Sequence, residues 1–90
     1  MEEDSENEKM RIGWISHFYG KIGVVVLELE EELQVGDTIV IEGPSTSVTQ
    51  TVNSMEIDHK KVQIAKPGQS VGMKVNGAVR EKDVVFKLIE

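Results

Sequence analysis

Apolar residues recur along this chain in short runs separated by turn-forming or charged residues, and the runs have strand rather than helix character. Met10 to Tyr19 alternates loosely, with Ile12, Trp14 and Phe18 on one parity and Gly13, Ile15, His17 and Tyr19 on the other. Gly20-Lys21 turns the chain. Ile22 to Leu29 is almost continuously apolar and rich in valine, as expected of a strand with both faces at least partly covered. Val25, Leu27 and Leu29 share one face. After Glu30-Glu31-Glu32, Leu33 and Val35 resume the apolar register, and Gly36-Asp37 turns the chain into a strand over Thr38 to Glu42. Glycine takes positive φ and aspartate accepts from nearby backbone amides, so this corner has a mechanism.

The second half repeats the scheme. Gly43-Pro44-Ser45-Thr46-Ser47 reads as a polar loop, and Val48 to Ile57 as one long strand whose inward face switches at a bulge near Asn53-Ser54. Asp58 to Lys61 is a polar hairpin connection leading to Val62, Ile64 and Ala65. Pro67-Gly68 suits the central positions of a type II turn, and Ser70 to Val75 is the next strand. The following turn lies at Asn76-Gly77, a common hairpin dipeptide, or at Arg80-Glu81-Lys82-Asp83. Val84 to Ile89 closes the pattern. About seven short strands and no helix predict an all-β sandwich or barrel. Strands this apolar favour the barrel, because closure removes unpaired edges.

With 90 residues the chain has room for one core. It contains no cysteine, so neither a disulfide nor a thiolate site contributes, and a reducing, cytoplasmic setting fits. No apolar run reaches transmembrane length, and the acidic start is unlike a secretory signal. The formal charge is −6. Residues 2–9 hold five acidic side chains, Glu2, Glu3, Asp4, Glu6 and Glu8, against Lys9 alone. The expected organisation is therefore a mobile acidic tail over 1–9 and a single, nearly charge-balanced barrel over 10–90.

Three segments carry a resemblance to a known family. They are Gly23-Val-Val-Val leading to Leu33-Gln-Val-Gly-Asp-Thr-Ile-Val-Ile41, the strand ending at Met55-Glu-Ile57, and Ala65-Lys-Pro-Gly-Gln-Ser-Val-Gly-Met-Lys-Val-Asn-Gly77 with Arg80 to Asp83. Together they resemble domain II of the translational GTPases, the β-barrel that follows the nucleotide-binding domain in elongation factor Tu. The resemblance implies a small closed antiparallel Greek-key barrel of six to seven strands, of translation-protein type. Gly23 to Pro44 and Thr49-Gln-Thr-Val52 to Met55 are also similar to the small C-terminal barrel of collagenase-like peptidases. In both families that barrel is an accessory, and neither resemblance carries over a catalytic residue.

Candidate chemistry is sparse. There is no Gly-x-x-x-x-Gly-Lys-[Ser/Thr] phosphate cradle, which excludes GTP hydrolysis. His17 and His59 lie far apart without the spacing of a metal motif, and Glu28 to Glu32 reads as a solvated loop rather than a paired-carboxylate device. No catalytic residue, metal or cofactor is expected. Tyr19 beside its glycine turn is the best exposed aromatic contact, and Lys60, Lys61 and Lys66 form the densest basic group, joined by Lys74, Arg80 and Lys82 if neighbouring turns cluster. The resemblance implies a non-enzymatic, monomeric binding module for RNA, the ribosome or a translation or tRNA-modification protein. The alternative is a protein-protein adaptor or detached accessory subunit of a collagenase-like peptidase, and Glu30-Glu31-Glu32 disfavours phosphate near the Val-Gly-Asp corner.

Overall fold

In the computed structural model, which describes residues 8–89, the chain forms ten β-strands. They are β1 (Lys9–Tyr19), β2 (Val24–Leu29), β3 (Leu33–Gln34), β4 (Thr38–Gly43), β5 (Thr46–Thr51), β6 (Met55–Ile57), β7 (Lys60–Val62), β8 (Ile64–Ala65), β9 (Ser70–Lys74) and β10 (Val84–Leu88). Glu2, Glu3, Asp4 and Glu6 of the expected tail lie outside the described residues, as does Glu90. The expected all-β, antiparallel character is present, and no helix occurs among the described residues.

Eight strands form one sheet in the order β5-β4-β10-β1-β2-β9-β6-β7, and β3 pairs with β8 in a second, two-stranded sheet. The large sheet thus holds eight strands where six to seven were expected. Among the described residues the backbone ladder ends at β5 on one side and β7 on the other. One face of the large sheet nevertheless surrounds a single core. Ile12, Ile15, Val25, Leu27, Leu33, Ile39, Ile41, Met55, Val71 and Val85 are all essentially without solvent contact. Burying each such side chain contributes about 1.5–3 kcal/mol, and the sheet must curl for all of them to meet.

Two expectations about strand register are corrected. Ile12, Ile15 and Phe18 point inward at intervals of three, because bulges interrupt β1 between Arg11 and Gly13 and between Ile15 and His17. Each extra residue reverses the side-chain parity, so Trp14 sits outside the core cluster, half-buried beside Glu28 and Val84. Gly13 is needed inside β1, since a Cβ there would overlap the Glu28 carbonyl.

The expected strand from Val48 to Ile57 is two strands. β5 runs along β4, the chain leaves the ladder over residues 52–54, and β6 pairs near the opposite end of the sheet order with β9 and β7. A bulge would have kept the two halves in line. The crossing leaves Val52 and Met55 buried in the core, so the break is held by packing on both sides.

Three corners share one hydrogen-bond design. In Gln34–Asp37, Lys66–Gln69 and Arg80–Asp83, the fourth residue donates its N–H to the carbonyl of the first, at 3.1, 3.2 and 3.1 Å. Its side-chain oxygen accepts the first residue's N–H, at 2.9, 2.8 and 2.8 Å. The third residue has positive φ in each: Gly36 at 102°, Gly68 at 91° and Lys82 at 76°. Type II turns require this. Arg80–Asp83 is thus the turn before the last strand, while Gly77 has no positive φ.

A groove on the outer sheet face

Outward residues of β2, β9 and β6 form the floor of a surface hollow. Because strand side chains alternate, burying Val25, Leu27, Val71 and Met73 turns Val24, Val26, Ser70 and Gly72 outward. Val26 lies opposite Gly72, and Gly72 opposite Glu56, so these positions form a row across the sheet. The hollow is an open groove of about 530 Å³ lined by Tyr19 and Ile22 on one side and Glu56, Asp58 and His59 on the other.

Each wall has a local cause. Ile22 N–H and Gly23 N–H both donate to the Tyr19 carbonyl, at 3.2 and 2.9 Å, and Gly23 takes φ 67°. The tight turn leaves Tyr19 49% and Ile22 61% exposed, the two most exposed large apolar side chains among the described residues. Across the groove, Ile57 pairs with Lys60 around a two-residue loop with φ 53° at Asp58 and 67° at His59. Two consecutive positive φ values mark a type I′ hairpin turn. Aspartate and histidine tolerate this backbone better than most non-glycine residues.

Beyond one end, Glu28 accepts from the Ser16 hydroxyl at 2.7 Å and the Ser70 hydroxyl at 2.6 Å. Beyond the other, a second hollow of about 340 Å³ shares Val24, Glu56 and Gly72 with the first and adds Ser54, Lys61, Met73 and Lys74.

The site residues expected from sequence fall on different elements. Tyr19 lines the groove and its ring meets His17 at 4.2 Å between centroids. His17 Nδ1 is 3.2 Å from Glu81 Oε2. Lys61 lines the second hollow, and Lys60, one residue earlier on β7, takes the opposite parity. Lys66 lies elsewhere, 3.6 Å from Glu32. Arg80 begins the turn that ends at Asp83.

Glu30 and Glu32 are engaged individually. Arg11 forks onto Glu30 at 2.9 and 3.2 Å. Glu32 accepts from Gln34 at 3.0 Å, and that bond, followed by the charge of Lys66, holds its carboxyl below the ordinary value. Lys87 reaches the Glu32 carbonyl at 3.0 Å and lies 3.6 Å from Asp37. No group of three or more metal-ligating side chains gathers among the described residues, and no helix there is long and apolar enough to cross a membrane.

Val24, Val26, Glu56 and Gly72 line the groove without having been expected there from sequence. The available signal was the near-continuous apolar run of β2, which places valine on the outward parity as well as the inward one.

No protein-family model matches the chain. It is 47% identical over 87 residues to an uncharacterized protease of Methanocaldococcus jannaschii, a match covering 96% of this chain and 21% of that protein. It is 33% identical over 82 residues to a collagenase of Porphyromonas gingivalis, covering 89% of this chain and 20% of the relative. The chain thus spans about a fifth of the length of the curated relatives it matches. Among solved structures, its fold matches the C-terminal domain of a Geobacillus thermoleovorans protein described as a U32 peptidase. The TM-score is 0.80 at 17% identity, over 97% of this chain and 98% of that domain. A selenomethionine variant of the same domain aligns with a TM-score of 0.79 at 18% identity, over 83% of this chain and 95% of that one. Homology therefore runs to one domain of collagenase-like peptidases. Of the two resemblances read from sequence, this is the one the relatives carry.

Proposed function

We propose that this chain is a non-catalytic accessory module of the collagenase-like peptidase type, acting in the cytoplasm by docking onto a protein partner, the catalytic part of such a peptidase. The observation that supports this most directly is the match itself. Nearly the whole chain aligns with about a fifth of a protease, at an identity of 47%. The groove agrees with a docking role, since its apolar floor and exposed Tyr19 and Ile22 offer contact area, with the titratable Glu56, Asp58 and His59 along one wall. In this reading the curled sheet behaves as a closed barrel whose seam is held by side chains. Tyr19 is assigned to partner contact.

The translation-module reading has less support. Lys66 is beside Glu32, and Lys60 and Lys61 alternate along β7, an arrangement that lends no support to one phosphate-binding surface. Co-expression with the remainder of the Methanocaldococcus jannaschii relative, its matching segment removed, tests the proposal. Retention of that protein through nuclease treatment is expected. Failure of retention, with RNA or ribosomes held instead at low and moderate salt, would overturn it.

A further inference from the structure

We infer that the outer groove is a recognition site for a short protein segment that presents a large apolar side chain next to a lysine or arginine. This deepens the accessory-module reading and rests on it only for the source of the segment.

The room in the groove comes from Gly72. Its φ is not positive, and a Cβ added there would meet nothing closer than 3.9 Å, the Glu56 carbonyl. Neither backbone conformation nor close approach therefore demands glycine in the middle of β9, where glycine weakens a strand. Gly13 and Gly43 differ, because a Cβ at either would overlap a neighbour. The absence of a side chain at residue 72 instead leaves the floor between Val26 and Glu56 open.

The lining then sets what fits. Val24, Val26, Ile22 and the Tyr19 ring form an apolar surface, and an exposed tyrosine beside an apolar pocket is a common interface anchor. The carboxylates in the lining are Glu56 and Asp58, with no lysine or arginine among the groove's lining residues. Asp58 belongs to the type I′ turn at the groove edge. A cation beside the apolar anchor complements this rim. Lys61 and Lys74 lie in the adjoining hollow, past Glu56, where they disfavour a second cation.

The probe is a phage-displayed random heptapeptide library selected against the immobilised full chain. The best peptide is then synthesised with a fluorophore and titrated by fluorescence polarisation. Enrichment of a large apolar residue adjacent to lysine or arginine is expected. Gly72→Val should weaken the selected peptide about tenfold or more by filling the floor, and Ile22→Ser should also weaken it. Ile22 lies outside the core cluster, so its variant keeps the inference testable if Gly72→Val fails to fold. The pair Glu56→Gln and Asp58→Asn should weaken binding several-fold and flatten its salt dependence, with asparagine preserving the turn. No enrichment, enrichment of acidic peptides, or equal binding by Ile22→Ser would overturn the inference. Such a result would leave the peptidase co-expression result standing.

Discussion

Gln50 accepts a hydrogen bond from the backbone N–H of Asn76 at 2.8 Å, joining the first strand of the sheet order to the segment just after the sixth. The same side chain donates to the Lys74 carbonyl at 2.9 Å and is 92% removed from solvent, with 8% exposure. A primary amide matches a backbone carbonyl and a backbone N–H at once, as a neighbouring strand would. Among the described residues the ladder does not close, yet β5 and the end of β9 are tied here by a side chain.

Gln50→Leu is accordingly expected to destabilise the fold by about 2 kcal/mol, because it leaves two partly buried backbone groups unpaired. Urea unfolding measures the loss. Amide exchange at Asn76 should accelerate selectively, and unchanged protection there would show that Gln50 does not hold this seam.

Two strand glycines should respond oppositely to the same substitution. Gly43 lies against the Asp83 carboxylate, which is buried and accepts from Arg80 N–H, so Gly43→Ala forces an overlap in a confined place. A cost of about 1–3 kcal/mol is expected. Gly72→Ala meets ordinary van der Waals distances and should be neutral or slightly stabilising. Thermal melts of the two variants decide between these outcomes.

Lys82 occupies the left-handed position that Gly36 and Gly68 fill in the other two sealed turns. A non-glycine residue there carries about 1–3 kcal/mol of strain, partly offset in a glycine variant by about 0.5–1 kcal/mol of extra unfolded-chain entropy. Lys82→Gly should therefore raise stability by roughly 0.5–1 kcal/mol. Gly68→Ala should lower it. A lower denaturation midpoint for Lys82→Gly would refute the strain argument.

Glu32 gives the acid limb of stability a direction. Its carboxyl is held low by the Gln34 hydrogen bond and then by Lys66. A depressed folded-state value means that the charged form stabilises the fold above the unfolded value, near 4.3 for glutamate. That contribution is lost as pH falls through the folded value. Glu32→Gln should melt below the parent at pH 7 and converge with it toward about pH 2. A constant gap across that range would remove Glu32 from the explanation.

The local chemistry of the chain was legible where it is self-contained. Val35-Gly36-Asp37 and Pro67-Gly68 make the turns their residues predict, because positive φ and a side-chain acceptor act within four residues. Strand locations follow from valine-rich runs, and the all-β class follows from them. The exposure of Tyr19 was also legible, since the glycine turn beside it keeps it out of the core.

What tertiary structure alone decided is how those strands face and join. Nothing local in Met10 to Tyr19 fixes its two bulges, which arise because β1 must pair with β10 on one side and β2 on the other while the sheet curls. Residues 52–54 read as continuing strand, yet the chain must cross there to reach the opposite end of the ladder. Gly72 reads as an ordinary strand glycine until Val26 and Glu56 are placed on either side of it. The sequence determined which short segments are extended and where they turn, since those preferences are set by neighbours in the chain. The sheet's curvature determined the groove, since Tyr19, Val26, Glu56 and Gly72 meet only across strands.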